Sequence, residues 1–199
     1  MNGRRATLAI VRRRIDRTFA LDWIVRFAVV CAIAALFAPL LGHTALLVVV
    51  TVLLPLAGAT ESANAEAMRR ASFFAMPLYG RQLARAYALG PMLTALAAPL
   101  GFLGGLALRH QTLPPGIAAI VLAANVVGAL VALGAVFRDG LQAWLYYALA
   151  VVCCAALAAP PLLRMPHDVG LSLGIAVIFA FTALRGFGET LARYDPLPA

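Results

Sequence analysis

Six predominantly apolar stretches, each about as long as a membrane-crossing helix, dominate the chain and leave few folds open to it. A bilayer core of about 30 Å takes about 20 residues of helix. The stretches run Trp23 to Leu41, Thr44 to Thr60, Ala86 to Leu108, Pro115 to Val136, Leu141 to Leu163 and Val169 to Phe187. Only Leu41-Gly42-His43 divides the first two, but Pro39 and Gly42 predict a tight turn there, and a single helix would greatly exceed a bilayer. Lipid offers backbone groups no hydrogen-bond partners, so each span is expected to be helical. The chain is 63% apolar and 12% charged, too few polar groups to cover a water-facing surface. The expected fold is therefore an all-α, polytopic bundle of six transmembrane helices.

Charge placement sets the expected orientation. All sixteen basic residues are arginine, against eight acids. Fourteen arginines fall on one set of connections: Arg4, Arg5, Arg12, Arg13, Arg14, Arg17 and Arg26; Arg69, Arg70, Arg81 and Arg85; Arg138; Arg185 and Arg193. The alternate connections hold only Arg109 and Arg164. The positive-inside rule then puts both termini in the cytoplasm, which requires an even number of spans. Because the arginines flank apolar runs, the net charge of +8 points to an anionic lipid surface and not to nucleic acid. The arginine-only, alanine-rich usage points to a bacterial inner membrane. The basic N-terminal stretch is too long for a cleavable signal. Without lysine, the chain has no P-loop and no Schiff-base nucleophile.

Two segments are expected outside the bilayer. Residues 4–22 place Ala6, Leu8, Ile10, Val11, Ile15 and Phe19 along an apolar stripe, with arginines covering the rest. That pattern predicts an interfacial elbow helix over residues 1–22, preceding a transmembrane domain over 23–199. The second segment is a cytoplasmic loop at 61–85. In it, Ser62 to Arg70 continues the second span, Phe73, Phe74 and Met76 form an apolar patch, and Pro77-Leu78-Tyr79-Gly80 makes a turn. A helix then restarts at Arg81 and runs into the third span. Exposed apolar residues rimmed by arginine suit either a protein contact or the lipid interface.

In these residues the chain resembles the transmembrane subunit of an ATP-binding-cassette transporter of the type-two exporter class. The match lies in the order of Glu61 to Arg70, Phe73-Phe74-Ala75-Met76-Pro77-Leu78-Tyr79-Gly80-Arg81 and Gln82 to Gly90, and in the six-span, termini-inside layout. The resemblance implies a permease subunit with no catalytic site of its own. ATP and magnesium would be bound by a separate ATPase, and a second permease copy or a related subunit would complete the pore. It also implies that Phe74, Met76, Pro77, Leu78, Tyr79, Arg81 and Arg85 contact the ATPase.

Other constellations are weaker. Gly170-Leu171-Ser172-Leu173-Gly174 matches a serine-nucleophile pattern, but that motif works as a strained strand-to-helix turn and here falls within a span. His43, His110 and His167 share one expected face with Asp168, where exposed loop histidines are the simpler reading than a metal site. Cys31, Cys153 and Cys154 read as buried free thiols. Gly101/Gly105 and Gly170/Gly174 form two G-x-x-x-G motifs, both expected to serve packing inside the bundle. No charge sits mid-span, so an apolar or amphiphilic cargo fits better than a small ion. Asn125 is the best candidate for a buried polar contact on a substrate path. Two alternatives remain: a non-transporting membrane scaffold or assembly factor, and a substrate-binding subunit of an energy-coupling-factor importer.

Overall fold

The computed structural model describes residues 17–37, 40, 49, 53–55, 57–58, 80–111, 113–136, 138, 141–163, 165 and 167–193. Among these residues there is no strand, and five helices are long and apolar enough to cross a membrane. The protein is thus a multi-pass helical bundle. The helices are α1 (Arg17–Phe37), α2 (Gly80–Leu108), α3 (Pro115–Ala132), α4 (Leu141–Leu162) and α5 (Asp168–Arg193). A 3-10 turn, Leu133–Ala135, extends α3. Most of the expected span from Thr44 to Thr60 lies outside the described residues. So do residues 1–16 of the expected interfacial helix and residues 61–79 of the expected loop.

Local chemistry accounts for the helix ends. α1 runs without a break past Asp22, whose carboxylate accepts a 2.7 Å hydrogen bond from Arg26 one turn on. Its described residues run to Phe37. Pro115 opens α3, a position where its missing N–H costs nothing. Asp168 begins α5, its carboxylate accepting a 2.7 Å bond from the Val169 N–H near the positive end of the helix dipole. α2 is the longest at 29 residues, roughly 43 Å at 1.5 Å per residue, and so must project beyond the bilayer core. It carries Pro91 and Pro99 in its interior, each removing one backbone donor.

α3 is the hub. Its apolar window is 61% buried, against 6% for α1. Ile120, Ala124, Val127 and Val131 recur at helical spacing on one face of α3. They meet Ala150, Cys153, Cys154 and Leu157 of α4, and Ala176 of α5. Leu130, Leu133 and Val136 close a second cluster with Tyr87 and Ala88 of α2 and Phe187 of α5. α1 packs chiefly on α2. There the first G-x-x-x-G lets two backbones touch: a Cβ at Gly101 would lie 2.5 Å from the Phe27 carbonyl oxygen, and one at Gly105 would lie 2.5 Å from that of Cys31. Trp23 secures the same pair by donating its indole N–H to the Leu93 carbonyl at 2.8 Å, and Arg109 does so by donating to the Ala35 carbonyl at 2.7 Å.

The second G-x-x-x-G departs from expectation. A Cβ at Gly170 or Gly174 would meet nothing within 4 Å. The buried side of α5 near this point is carried by Ser172 and Ala176, which turns the glycines outward. The rest of the outer surface is apolar as well. Leu21, Val25 and Val29 on α1, Trp144, Leu145 and Val152 on α4, and Val177, Ile178 and Phe181 on α5 are all exposed, which suits a surface solvated by lipid tails.

Candidate functional site

Three helices line a half-open groove of about 340 Å³, within the usual size range of small-molecule sites. α3 and its 3-10 extension supply Leu130, Val131 and Gly134, with Arg138 just beyond. α4 supplies Tyr146, Leu149 and Cys153, and the second half of α5 supplies Phe179, Thr182, Ala183, Gly186, Phe187 and Thr190. The cavity therefore lies toward the end of the bundle where α3 passes into α4 and α5 finishes.

Among the described residues Arg138 is the only charged side chain on its wall. The guanidinium is fixed in three ways. It donates from Nη1 to the Gly134 carbonyl at 2.6 Å, makes a long 3.5 Å contact from Nη2 to Thr190 Oγ1, and lies 4.3 Å from the centre of the Tyr146 ring. Cation–π attraction of this kind strengthens when the pair is shielded from water. Gly134 makes the stack possible, because a Cβ there would collide with Cε1 and Cδ1 of Tyr146. Among the described residues no carboxylate pairs with Arg138. The guanidinium has five N–H donors, and these contacts occupy two of them. The threonines add little free donor capacity, since Thr182 donates to the Ile178 carbonyl and Thr190 to that of Gly186. The chamber is an apolar slot with one oriented cation at its end.

Several residues singled out in the sequence lie elsewhere. Asn125 is fully buried but does not line the cavity. Its Nδ2 donates to the Val121 carbonyl of its own helix at 2.8 Å, and among the described residues its Oδ1 has no partner, facing the side of the bundle where Gly58 and Ala95 approach. Arg81 and Arg85 lie in the opening turns of α2, which begins at Gly80 and runs unbroken into the apolar segment. Phe74, Met76, Pro77, Leu78 and Tyr79 lie outside the described residues. Ser172 is buried in the continuous helix α5 with no hydrogen-bond partner for its hydroxyl. His110 and His167 are exposed at turns with φ of 57° and 56°, and His43 lies outside the described residues. Among the described residues no group of three histidine, cysteine or acidic side chains is placed to hold a metal.

The chain gives no significant match to any protein-family model, curated protein or solved structure. The functional reading therefore rests on the cavity and on the sequence. Sequence reasoning used Arg138 only as a marker of topology. What makes it a site residue is the approach of Tyr146 and Thr190, the latter 52 positions away. The one local signal is a lone arginine just past a long apolar run, and that signal is shared with every other loop arginine.

Proposed function

We propose that this chain is the membrane-spanning permease subunit of an ATP-driven transporter and that it carries an apolar or amphiphilic substrate. The observation that carries the reading is the apolar groove ending in a single cation, lined by three helices long enough to span a membrane. A scaffold needs no such chamber, and a small-ion pathway would need polar groups along its length. In this reading six spans cross a bacterial inner membrane with both termini inside. The arginine distribution then puts Arg138 and its end of the groove toward the cytoplasmic face. A lysine-free chain has no P-loop to grip a nucleotide, so ATP and magnesium belong to a partner ATPase. The loop at 61–85 would dock that partner through Phe74, Met76, Pro77, Leu78, Tyr79, Arg81 and Arg85, passing its movement along the continuous helix α2 to the bundle. A second permease copy or a related subunit completes the pathway.

The test is purification of the tagged chain from its host in mild detergent, with identification of the proteins that accompany it. An ATPase in roughly equal amount, lost when Phe74→Ala, Tyr79→Ala and Arg81→Glu are combined, is the expected result. Recovery of the chain alone, or with partners that include no ATPase, overturns the transport reading in favour of an assembly factor.

A further inference from the structure

The shape and polarity of the cavity narrow the chemistry of what enters it. From Phe179 to Thr190 its wall follows a twelve-residue stretch of α5, roughly 16 Å from end to end at the helical rise of 1.5 Å per residue. At about 340 Å³ over that length, the space is narrow and drawn out along the helices. Its far end is lined by Val131, Leu149, Cys153 and Phe179, none of which presents a strong hydrogen-bonding group. Its other end holds the guanidinium of Arg138. A partly buried cation beside hydrocarbon is costly to leave without a counter-charge, and the described protein supplies only a carbonyl, a hydroxyl and an aromatic face. Three N–H groups remain on a planar fork whose orientation is already set, which is the arrangement that accepts a carboxylate or phosphate with little further ordering.

We propose that this cavity binds a single-tailed amphiphile with an anionic head. The carboxylate or phosphate sits on Arg138, and the tail lies along α5 toward Leu149, Cys153 and Phe179. This deepens the transport reading by naming the class of its cargo, and it rests on the cavity being the cargo's entry site. Gly186 lines the groove, and a Cβ added there would meet nothing within 4 Å, so the wall leaves room at this position for a tail to pass.

The experiment uses the full chain in a neutral detergent with a photoactivatable laurate carrying a diazirine on its tail, followed by peptide mapping of the cross-links. Labelling is expected within residues 149–153 and 179–187. Competing laurate and lauryl phosphate should displace the probe about tenfold better than lauryl alcohol, as one strong charge-assisted contact requires. Lauryltrimethylammonium should compete no better than the alcohol, and acetate or inorganic phosphate, which have the head without the tail, should not compete. Arg138→Gln is expected to erase the tenfold preference for anions while leaving tail labelling in place, and Arg138→Lys to retain part of it. Gly186→Leu leaves Arg138 untouched, fills open space, and should abolish cavity labelling in a chain that still elutes as the parent does. Equal competition by laurate and lauryl alcohol overturns the anionic head. Labelling spread evenly over lipid-facing residues such as Val177 and Ile178 overturns the site. An ATPase that co-purifies with a chain showing no cavity labelling refutes this proposal alone, whereas cavity labelling without an ATPase refutes the transport reading alone.

Discussion

The contact between α1 and α2 makes a quantitative prediction, because neighbouring glycines on one helix should respond unequally to the same added methyl. In Gly105→Ala the new Cβ would lie 2.5 Å from the Cys31 carbonyl oxygen, 2.6 Å from Ala34 Cβ and 2.9 Å from the Ala35 nitrogen. Two of these atoms are backbone, so no side-chain rotation relieves the overlap. A close carbon–oxygen contact relaxes to about 3.3 Å, so the helices must part by roughly 0.8 Å. Overpacking of this kind costs about 1–3 kcal/mol, offset by up to ~1 kcal/mol from the better helix propensity of alanine. The expected net loss is ~1–2 kcal/mol, or about five- to thirtyfold in the unfolding equilibrium. Gly101→Ala should cost a similar amount, through the Phe27 carbonyl. The double variant should cost less than the sum, because one displacement relieves both overlaps. At Gly104 the nearest atoms to an added Cβ are Phe27 Cζ at 3.4 Å and Cys31 Sγ at 3.6 Å, ordinary contacts, so Gly104→Ala should be nearly neutral. Gly170→Ala and Gly174→Ala, with open space around them, should be neutral too. Trp23 reports on this interface directly, since its ring stacks on Phe27 at 5.8 Å and its N–H binds α2. The assay is denaturant unfolding in detergent followed by Trp23 fluorescence, with the only other tryptophan removed by Trp144→Phe. The reasoning is refuted if Gly105→Ala is as stable as its parent, or if Gly104→Ala or Gly174→Ala destabilises as much as Gly105→Ala does.

Two further predictions concern other parts of the bundle. Gly134→Ala should displace the Tyr146 ring from beneath Arg138 and destabilise the chain by ~1–3 kcal/mol in the same unfolding assay, and pairing it with Tyr146→Ala should recover part of that loss by removing the clash. Asn125→Leu replaces a buried amide whose Oδ1 has no partner with an apolar side chain of similar size; an unsatisfied buried acceptor costs ~1–3 kcal/mol, so the variant should be at least as stable as the parent. A marked loss of stability in Asn125→Leu would show that the amide serves a structural contact after all.

The outline of this protein was legible in its sequence because lipid imposes so strong a filter. Four of the expected spans, beginning at Ala86, Pro115, Leu141 and Val169, correspond to α2 through α5, and the one beginning at Trp23 corresponds to α1. Length and hydropathy alone mark them, since any apolar run of that size must satisfy its backbone internally. The helical course from Arg81 into the third span was equally readable and is that of α2. Which faces of these helices meet was not readable. Gly101/Gly105 and Gly170/Gly174 are the same motif four residues apart, yet the first pair carries a backbone-to-backbone contact and the second faces outward. In a uniformly apolar helix the hydrophobic pattern that normally reveals the buried face is lost, because the lipid-facing side is as apolar as the core. The cavity was hidden for the same reason. Sequence ranked Asn125 above Arg138 as a polar group to watch, because Asn125 sits mid-span and Arg138 in a connection. Only the tertiary structure brings Arg138, Tyr146 and Thr190 together across three helices. The sequence by itself determined that the chain crosses a membrane as helices, because that follows from summed transfer energies along the chain; the tertiary structure decided which small residues become contacts and where a lone cation meets an apolar slot, because those depend on how each helix is rotated about its own axis.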